Sequence, residues 1–250
     1  MSSNVKDVLQ APILRFDILD STNNRAAQLI DADTSVEGLT IITREQSAGK
    51  GQRGNTWKDE AGLSLLMSIV LQPRVSTDAQ FSFSAAVAVA VADALSALGP
   101  DMDVRIKFPN DIIINDKKAA GILIENAFRG SSWTHAIVGI GINVLQQEFT
   151  DLPHATSLLR ELRKRVEPEL VLQLVRQKVV EYTRGSNLEY YRKCYNLMLY
   201  RQAAVQRFSE QGVPFDAIIV QANAAGQLEL QLEEGNIKAY HHGEVSWIWP

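Results

Sequence analysis

Residues 46–62 read Gln-Ser-Ala-Gly-Lys-Gly-Gln-Arg-Gly-Asn-Thr-Trp-Lys-Asp-Glu-Ala-Gly, and positions 49–54 within them spell the pattern G-x-G-x-x-G. In a dinucleotide-binding Rossmann fold this pattern opens a helix, and an acidic residue follows about 20 positions later. Here the loop leads into the apolar run 63–71, which predicts a strand, and residues 70–74 are Val-Leu-Gln-Pro-Arg. A P-loop is excluded as well, because no Gly-Lys-Ser/Thr follows the glycines. The stretch therefore decides against both nucleotide-binding folds and predicts a glycine-rich loop between two strands.

Hydrophobic patterns and turn residues around this loop predict a mixture of strands and helices. The longest apolar run, residues 81–92, is alanine-rich, too short to span a bilayer and interrupted by Asp93, so we expect a buried helix. Beyond residue 203, five short β-type runs separated by turn residues predict a small barrel. Other predicted strands cover residues 39–43, 104–108, 112–114, 121–125 and 136–144, and predicted helices cover 25–30, 81–98, 168–182 and 188–199.

These elements give an α+β fold class: a mixed β-sheet domain packed with helices over residues 1–202, and a small C-terminal β-barrel domain over residues 203–250. The 250 residues are 46% hydrophobic, enough for a sizeable core, and their net charge of −4 provides no basic field for nucleic acid. The single cysteine, Cys194, excludes an internal disulfide and fits a reducing cytoplasm. Residues 1–10 lack the apolar core of a signal peptide. The four histidines lack ligand spacing, so we expect no resident metal.

The glycine-rich loop at 49–54 carries two cations, Lys50 and Arg53. Glycine lets the backbone approach a ligand closely, and a guanidinium group pairs with phosphate oxygens, so such a loop can wrap an anion. The alternative is an ordinary solvated surface loop, and spacing alone leaves both explanations open.

A second group of candidate residues ends the strand predicted at 104–108. Lys107-Phe108-Pro109-Asn110-Asp111 is followed by Lys118, and a strand-turn-strand here would concentrate charge at one end of the sheet. Lysine can screen phosphate, and a carboxylate can position a cation or a proton. On residue type alone, an ordinary β-turn with solvated charges is the commoner explanation. The third group, residues 139–144, places two glycines in an apolar strand, which indicates either close approach by a ligand or tight strand packing.

Taken together and in this order, the motifs resemble those of the biotin protein ligases, also called biotin–[acetyl-CoA-carboxylase] ligases. The resemblance runs from about residue 12 to the end, and five motifs in the right order are far more specific than any one of them. It implies a catalytic domain and a small C-terminal barrel of the SH3-like type, which would contain Gly243-Glu244-Val245-Ser246. The other motifs that carry it are Asp20-Ser21-Thr22-Asn23, Gln46-Ser47-Ala48-Gly49-Lys50-Gly51-Gln52-Arg53-Gly54-Asn55-Thr56-Trp57, Lys107-Phe108-Pro109-Asn110-Asp111, Lys118-Ala119-Ala120-Gly121-Ile122-Leu123 and Gly139-Ile140-Gly141-Ile142-Asn143-Val144.

By this resemblance the protein uses ATP and Mg²⁺ to join biotin to a specific lysine of a biotin carboxyl carrier protein. The intermediate would be biotinyl-5'-AMP, and the products pyrophosphate and AMP. Lys118, Asp111 and Arg53 are the implied catalytic residues. The implied biotin site consists of Ser21, Thr22, Asn23, Gln46, Gly49, Gly121 and Leu123. The implied ATP and adenylate site consists of Lys50, Gly51, Arg53, Trp57, Asn110, Lys118 and Asn143.

Two positions depart from the family pattern. Gln52 stands where the family often has arginine, so phosphate binding would rest on Lys50 and Arg53. Phe108 replaces the usual tryptophan and loses an indole N–H. Because only about eleven residues precede the matching region, we expect the short form of the family, without a DNA-binding domain. We further expect a cytoplasmic monomer or weak homodimer that binds neither nucleic acid nor membrane, and whose partner is the biotinyl domain of acetyl-CoA carboxylase or a related carboxylase.

Two alternative functions compete with this reading. A lipoate ligase or lipoyl transferase would share the catalytic fold, but the glycine-rich loop with Trp57 and the terminal barrel argue against it. A non-catalytic sensor of biotin or nucleotide is disfavoured because Lys118, Asp111 and Arg53 are all present.

Overall fold

A seven-stranded mixed sheet forms the first part of the computed structural model, which describes residues 4–32, 37–150, 152–184 and 187–249. The strand order is β1-β2-β3-β7-β6-β5-β4. The first two strands run parallel, and every other neighbouring pair is antiparallel. The strands are β1 (Ile13–Leu19), β2 (Thr40–Gln46), β3 (Ser64–Leu71), β4 (Val104–Lys107), β5 (Asp111–Ile114), β6 (Lys117–Arg129) and β7 (Ser132–Asn143).

Helices cover both faces of this sheet. Side chains alternate between the two faces of a strand, so neighbouring residues of β3 belong to different layers. Met67 and Ile69 pack into the main core with the large helix α3, whereas Val70 joins a smaller cluster with Ala26 of α2. The helices are α1 (Val5–Leu9), α2 (Thr22–Asp31), α3 (Gln80–Ser96), α4 (Leu158–Leu162), α5 (Pro168–Arg184) and α6 (Leu188–Leu197).

The alanine-rich helix α3 is the centre of the main core and lies against α5, α6 and β4. By length and composition, residues 77–96 could cross a membrane, but 61% of their most apolar window is buried inside the protein. Such burial is typical of a core helix, as predicted for residues 81–98.

A buried arginine ties α5 to the start of the sheet. Arg176 is only 4% exposed, and its guanidinium donates to Thr40 Oγ1 at 2.9 Å. It also donates to the carbonyl oxygens of Leu9 and Ala11, each at 2.8 Å, and of Gly38 at 3.2 Å. One side chain therefore donates hydrogen bonds to the backbone acceptors at the end of α1 and to acceptors at the start of β2.

The last five strands form a separate antiparallel sheet in the order β11-β10-β9-β8-β12. The final strand returns to pair with the first, and the apolar side chains of Phe208, Ile219, Leu230 and Tyr240 are buried. The strands are β8 (Val205–Glu210), β9 (Val213–Ala222), β10 (Leu228–Leu232), β11 (Ile237–Tyr240) and β12 (Val245–Trp247). The predicted fold class is confirmed, and the domain boundary at 202/203 stays a prediction, with β8 beginning three residues beyond 202.

Candidate active site

One cavity of about 290 Å³ lies where the glycine-rich loop folds over the sheet, on the face opposite α3. All five motifs upstream of residue 144 contribute residues to its wall. The predicted site residues that line it are Ser21, Thr22, Asn23, Gln46, Lys50, Gly51, Arg53, Trp57, Asn110, Asp111, Lys118, Gly121 and Leu123.

The glycine-rich loop is a tight hairpin rather than a solvated coil. Gly51 N donates to Asn55 O at 2.6 Å, and Trp57 N donates to Gly49 O at 3.0 Å. Gly49 does not line the cavity, but a Cβ there would lie 2.7 Å from the carbonyl oxygen of Trp57. Glycine at 49 is therefore required for the two arms of the hairpin to approach, and Gly49 acts on the cavity through Trp57.

Two facing glycines form the floor beneath Trp57. Gly121 of β6 and Gly141 of β7 are partners in the strand register. A Cβ on Gly141 would lie 2.6 Å from the indole ring of Trp57, and a Cβ on Gly121 would lie 2.9 Å from it. Only glycine at both positions allows the indole to lie flat on the sheet. Within the described part of the chain, the buried Trp57 Nε1 has no hydrogen-bond partner, so it remains available to a ligand acceptor.

A polar network organises the end of the cavity next to α2. The Gln46 side-chain oxygen accepts from Thr22 N at 2.8 Å and from Thr22 Oγ1 at 3.2 Å. Ser68 Oγ lies 2.7 Å from Thr22 Oγ1 and 2.6 Å from Asn23 Oδ1, and Asn23 Nδ2 donates to Glu125 at 2.7 Å. The sequence predicted Thr22, Asn23 and Gln46, but it did not predict the contributions of Ser68 and Glu125.

Opposite charges meet at the other end of the cavity. Lys118 Nζ lies 2.7 Å from Asp111 Oδ1, and 5.7 Å from the centre of the Trp57 ring. Asp111 begins β5 and pairs in register with Lys107 at the end of β4. Burial lowers the pKa of Lys107. The negative charge of Asp111 raises this pKa, and the positive charge of Lys118 lowers it further. Asn110 Nδ2 donates to the carbonyl oxygen of Ile122, which fixes the turn between the two strands.

The two loop cations are held by different parts of the protein. Lys50 Nζ lies 3.3 Å from Glu125 Oε1, and Arg53 Nη1 donates to the backbone carbonyl of His242 at 2.6 Å. His242 lies in the connection between β11 and β12 and lines the cavity, where burial and the positive charge of Arg53 lower its pKa. The sequence did not predict His242, although the neighbouring residues 243–246 belong to a recognised motif.

A sequence profile of the Biotin/lipoate A/B protein ligase family matches residues 15–143, just over half of the chain. The chain belongs to this family. The family resemblance predicted from the motifs is thereby confirmed.

Individual members of the biotin/lipoate ligase family share sequence and fold with this chain. The bifunctional ligase/repressor BirA of Bacillus subtilis is 33% identical over 174 residues, which cover 67% of this chain and 52% of that relative. The biotin–[acetyl-CoA-carboxylase] ligase of Paracoccus denitrificans is 36% identical over 162 residues, or 62% of this chain and 66% of that protein. The match thus spans half to two thirds of these relatives' length. The biotin protein ligase of Aquifex aeolicus in complex with biotin and ATP superposes with a TM-score of 0.79 at 23% identity, covering 95% of this chain and 99% of that one, which shows the shared fold.

Besides Gly49, a second predicted site residue of this ligase-family chain, Asn143, does not line the cavity. Asn143 ends β7, is 6% exposed, and its Nδ2 donates to the carbonyl oxygen of Thr156 at 3.0 Å. Its amide therefore supports the segment that follows β7. The contact with adenine stays a prediction for this residue.

The side chains of the cavity are poorly suited to bind a metal ion when no substrate is present. No group of three or more His, Cys, Asp or Glu side chains in the described ranges could hold a metal ion. Asp111 is the one carboxylate among the described residues that line the cavity. This fits a Mg²⁺ ion that arrives on the phosphates of ATP, because Mg²⁺ commonly uses one or two carboxylates together with substrate phosphates.

Proposed function

We propose that this protein is an ATP-dependent biotin–protein ligase that acts on a biotin carboxyl carrier protein through biotinyl-5'-AMP. The observation that carries the proposal is the convergence of five separated motifs on one cavity. That cavity has hydrogen-bonding groups at one end and two lysines with one aspartate at the other. The Aquifex aeolicus relative of the same fold is described in complex with biotin and ATP, which supports the same choice of ligands.

The network beside α2 favours biotin over lipoate. The ring end of biotin carries a ureido group with one carbonyl acceptor and two N–H donors, whereas the dithiolane ring of lipoate has no comparable groups. Ser21, Thr22, Asn23 and Gln46 supply hydroxyl and amide partners at this end. Buried polar groups left without partners cost free energy, so a site built this way discriminates against a ring that cannot pair with them.

In the first half-reaction, the biotin carboxylate attacks the α-phosphorus of ATP and pyrophosphate leaves. Both reactants are anions, so their repulsion must be screened by preorganised positive charge. Lys118 is suited to this role because it lies at the cavity wall and is oriented by Asp111 at 2.7 Å. Lys50 and Arg53 would move from Glu125 and His242 to the phosphates when the loop closes, and Mg²⁺ bound to ATP would add further screening.

In the second half-reaction, the lysine amine of the carrier attacks the carbonyl carbon of the adenylate and AMP leaves. Because the reference pKa of lysine is about 10.4, fewer than about one amine in a thousand is neutral at pH 7. A base must therefore take the proton, and Asp111 is the cavity carboxylate that could accept it. The loop with Trp57 would shield the adenylate from water until the carrier arrives.

Mass spectrometry of a purified biotin carboxyl carrier domain provides the test. After incubation with this protein, biotin and Mg-ATP, we expect one added biotinyl group on one lysine, with one pyrophosphate released for each group transferred. Lipoate should be transferred at least about a hundredfold more slowly. Equal transfer of lipoate would assign the chain to the other branch of its family, and biotin binding without pyrophosphate release would make it a sensor.

The proposed setting follows from composition. We propose that the protein works in the cytoplasm, because its single cysteine, Cys194, fits a reducing compartment. We propose no nucleic-acid partner, because the net charge of the chain is −4.

A further inference from the structure

The ammonium of Lys107 is held by aromatic rings rather than by a carboxylate. Lys107 Nζ lies 4.9 Å from the ring centre of Trp249 and 5.7 Å from that of Trp247. Within the described part of the chain Lys107 forms no ion pair, since the neighbouring Asp111 is paired with Lys118. Trp247 is the last residue of β12 in the second sheet, Trp249 follows two residues later, and Lys107 lines the cavity.

This aromatic contact is braced from several sides. Tyr200 stacks on Trp249, with ring centres 5.8 Å apart, and packs against Trp247 at 5.6 Å. The backbone of Tyr200 donates to the carbonyl oxygen of Ile106, immediately before Lys107, at 2.8 Å. Tyr200 therefore joins the strand that carries Lys107 to the rings that contact the Lys107 ammonium.

A second link connects the same tryptophan to Lys118. His154 packs on Trp249 at 4.9 Å between ring centres, and its carbonyl oxygen accepts from Lys118 N at 2.7 Å. Trp249 is thus in contact with Lys107 directly and is one residue removed from Lys118.

An aromatic face and a carboxylate stabilise an ammonium in different ways. A carboxylate neutralises the charge and competes with any phosphate, whereas a ring attracts the cation through its quadrupole and leaves the net charge available. A lysine that contacts only aromatic rings is therefore fixed in place, and its positive charge remains available to attract a phosphate.

We propose that Trp247 and Trp249 are positioning residues that hold the charged Lys107 at the cavity rim, where it faces the phosphates of ATP. The inference rests on the proposed function and adds a role for the second sheet in binding one of the two substrates. Biotin brings only one carboxylate, whereas ATP brings a polyanion, so ATP binding should depend on Lys107 more strongly than biotin binding does.

The test is a double-mutant cycle between Trp249→Leu and Lys107→Met, read as the KM and Kd for ATP. Loss of one cation–π contact should weaken ATP binding about 2- to 30-fold in the parent background. In the Lys107→Met background the same substitution should have an effect smaller than twofold, because the cation is already absent. The KM for biotin should change less than twofold, and Trp249→Phe should retain most of the ATP affinity.

Ile248→Ala is the matched control, because Ile248 lies between the two tryptophans and is 42% exposed. It should leave the KM values for both substrates unchanged. An equal loss of ATP affinity from Trp249→Leu in both backgrounds would assign the tryptophan a purely structural role and overturn the proposal, as would an unchanged affinity in the parent. If the parent binds ATP but forms no biotinyl-adenylate, the proposed function fails while the cycle on Kd still decides the role of Trp249.

Discussion

Lys118→Ala is expected to remove most of the first half-reaction while leaving the fold intact. Two unit charges 4 Å apart interact by about 4 kcal/mol at an effective dielectric of 20. The Lys118 side chain is 37% exposed, so solvent screening reduces this to about 2–3 kcal/mol, or roughly a hundredfold in rate. Removing the lysine also leaves Asp111 unpaired and repelling the incoming anions, which brings the expected loss to about 10²–10³.

The assay is biotin-dependent exchange of labelled pyrophosphate into ATP, which isolates adenylate formation from transfer to the carrier. Lys117→Ala is the matched control, because Lys117 is the preceding residue of the same strand and does not line the cavity. It should keep near-parent exchange. A double variant, Lys118→Ala with Asp111→Asn, should recover up to about tenfold relative to Lys118→Ala, because the unpaired negative charge is gone.

Near-parent exchange by a folded Lys118→Ala protein would refute the charge-screening argument. A double variant that is slower than Lys118→Ala would show that Asp111 has its own part in adenylate formation, beyond orienting the lysine. Thermal unfolding of each variant separates these outcomes from a loss of structure.

Three further predictions concern stability and the cavity floor. Arg176→Ala should lower the free energy of unfolding by roughly 3 kcal/mol in urea titrations, because several buried acceptors lose a charged donor. Arg176→Lys should recover little, since an ammonium cannot span those acceptors, and full recovery would contradict this. The pKa of Asp59 is raised from 3.8 to about 6 by burial and Glu45, so its protonated form favours the folded state. The stabilisation from protonated Asp59 is therefore complete below about pH 4 and is lost as the pH rises through 6. Asp59→Asn should raise the free energy of unfolding by about 1–2 kcal/mol at pH 7 and make it depend less on pH between about 4 and 6. Gly141→Ala should slow biotin-dependent pyrophosphate exchange at least about tenfold by displacing Trp57, and an unchanged rate would show that the indole adjusts freely.

The sequence predicted most elements because their signals are local. The apolar runs at 63–71 and 136–144 became β3 and β7, and the alanine-rich run at 81–98 became α3. β1 was not predicted. It is a half-exposed edge strand, and its sequence, Ile-Leu-Arg-Phe-Asp-Ile-Leu, does not alternate strictly between apolar and polar residues. β6 extends well beyond the predicted 121–125, since its long antiparallel pairing with β7 carries it past the apolar segment.

The site was predicted through its motifs, and what was missed depends on contacts that no local pattern encodes. Ser64 and Ser68 lie four residues apart in β3 and therefore share one face of the strand, so side-chain alternation does not indicate which of them reaches α2. Ser68 was therefore not distinguished from Ser64, which instead bonds Gln146. What separates the two serines is their position along the strand, Ser64 opposite Asn143 and Ser68 opposite Gly139, and this pairing is not encoded by any local pattern.

The contacts between the two sheets extend this reasoning from register to tertiary structure. Arg53 and Lys107 read in sequence as free cations, yet the first donates to the His242 carbonyl and the second lies against Trp249. Both partners are more than 130 positions away along the chain, so their meeting depends on how the second sheet docks. These two cations are thus held by residues outside the catalytic motifs, whereas Lys118 is paired with Asp111 within them. Neither cation is neutralised by a carboxylate. A phosphate can therefore replace the His242 carbonyl at Arg53, and it can bind Lys107 while the rings still contact the ammonium. In this way the C-terminal part of the chain contributes to phosphate binding in the cavity of the first sheet.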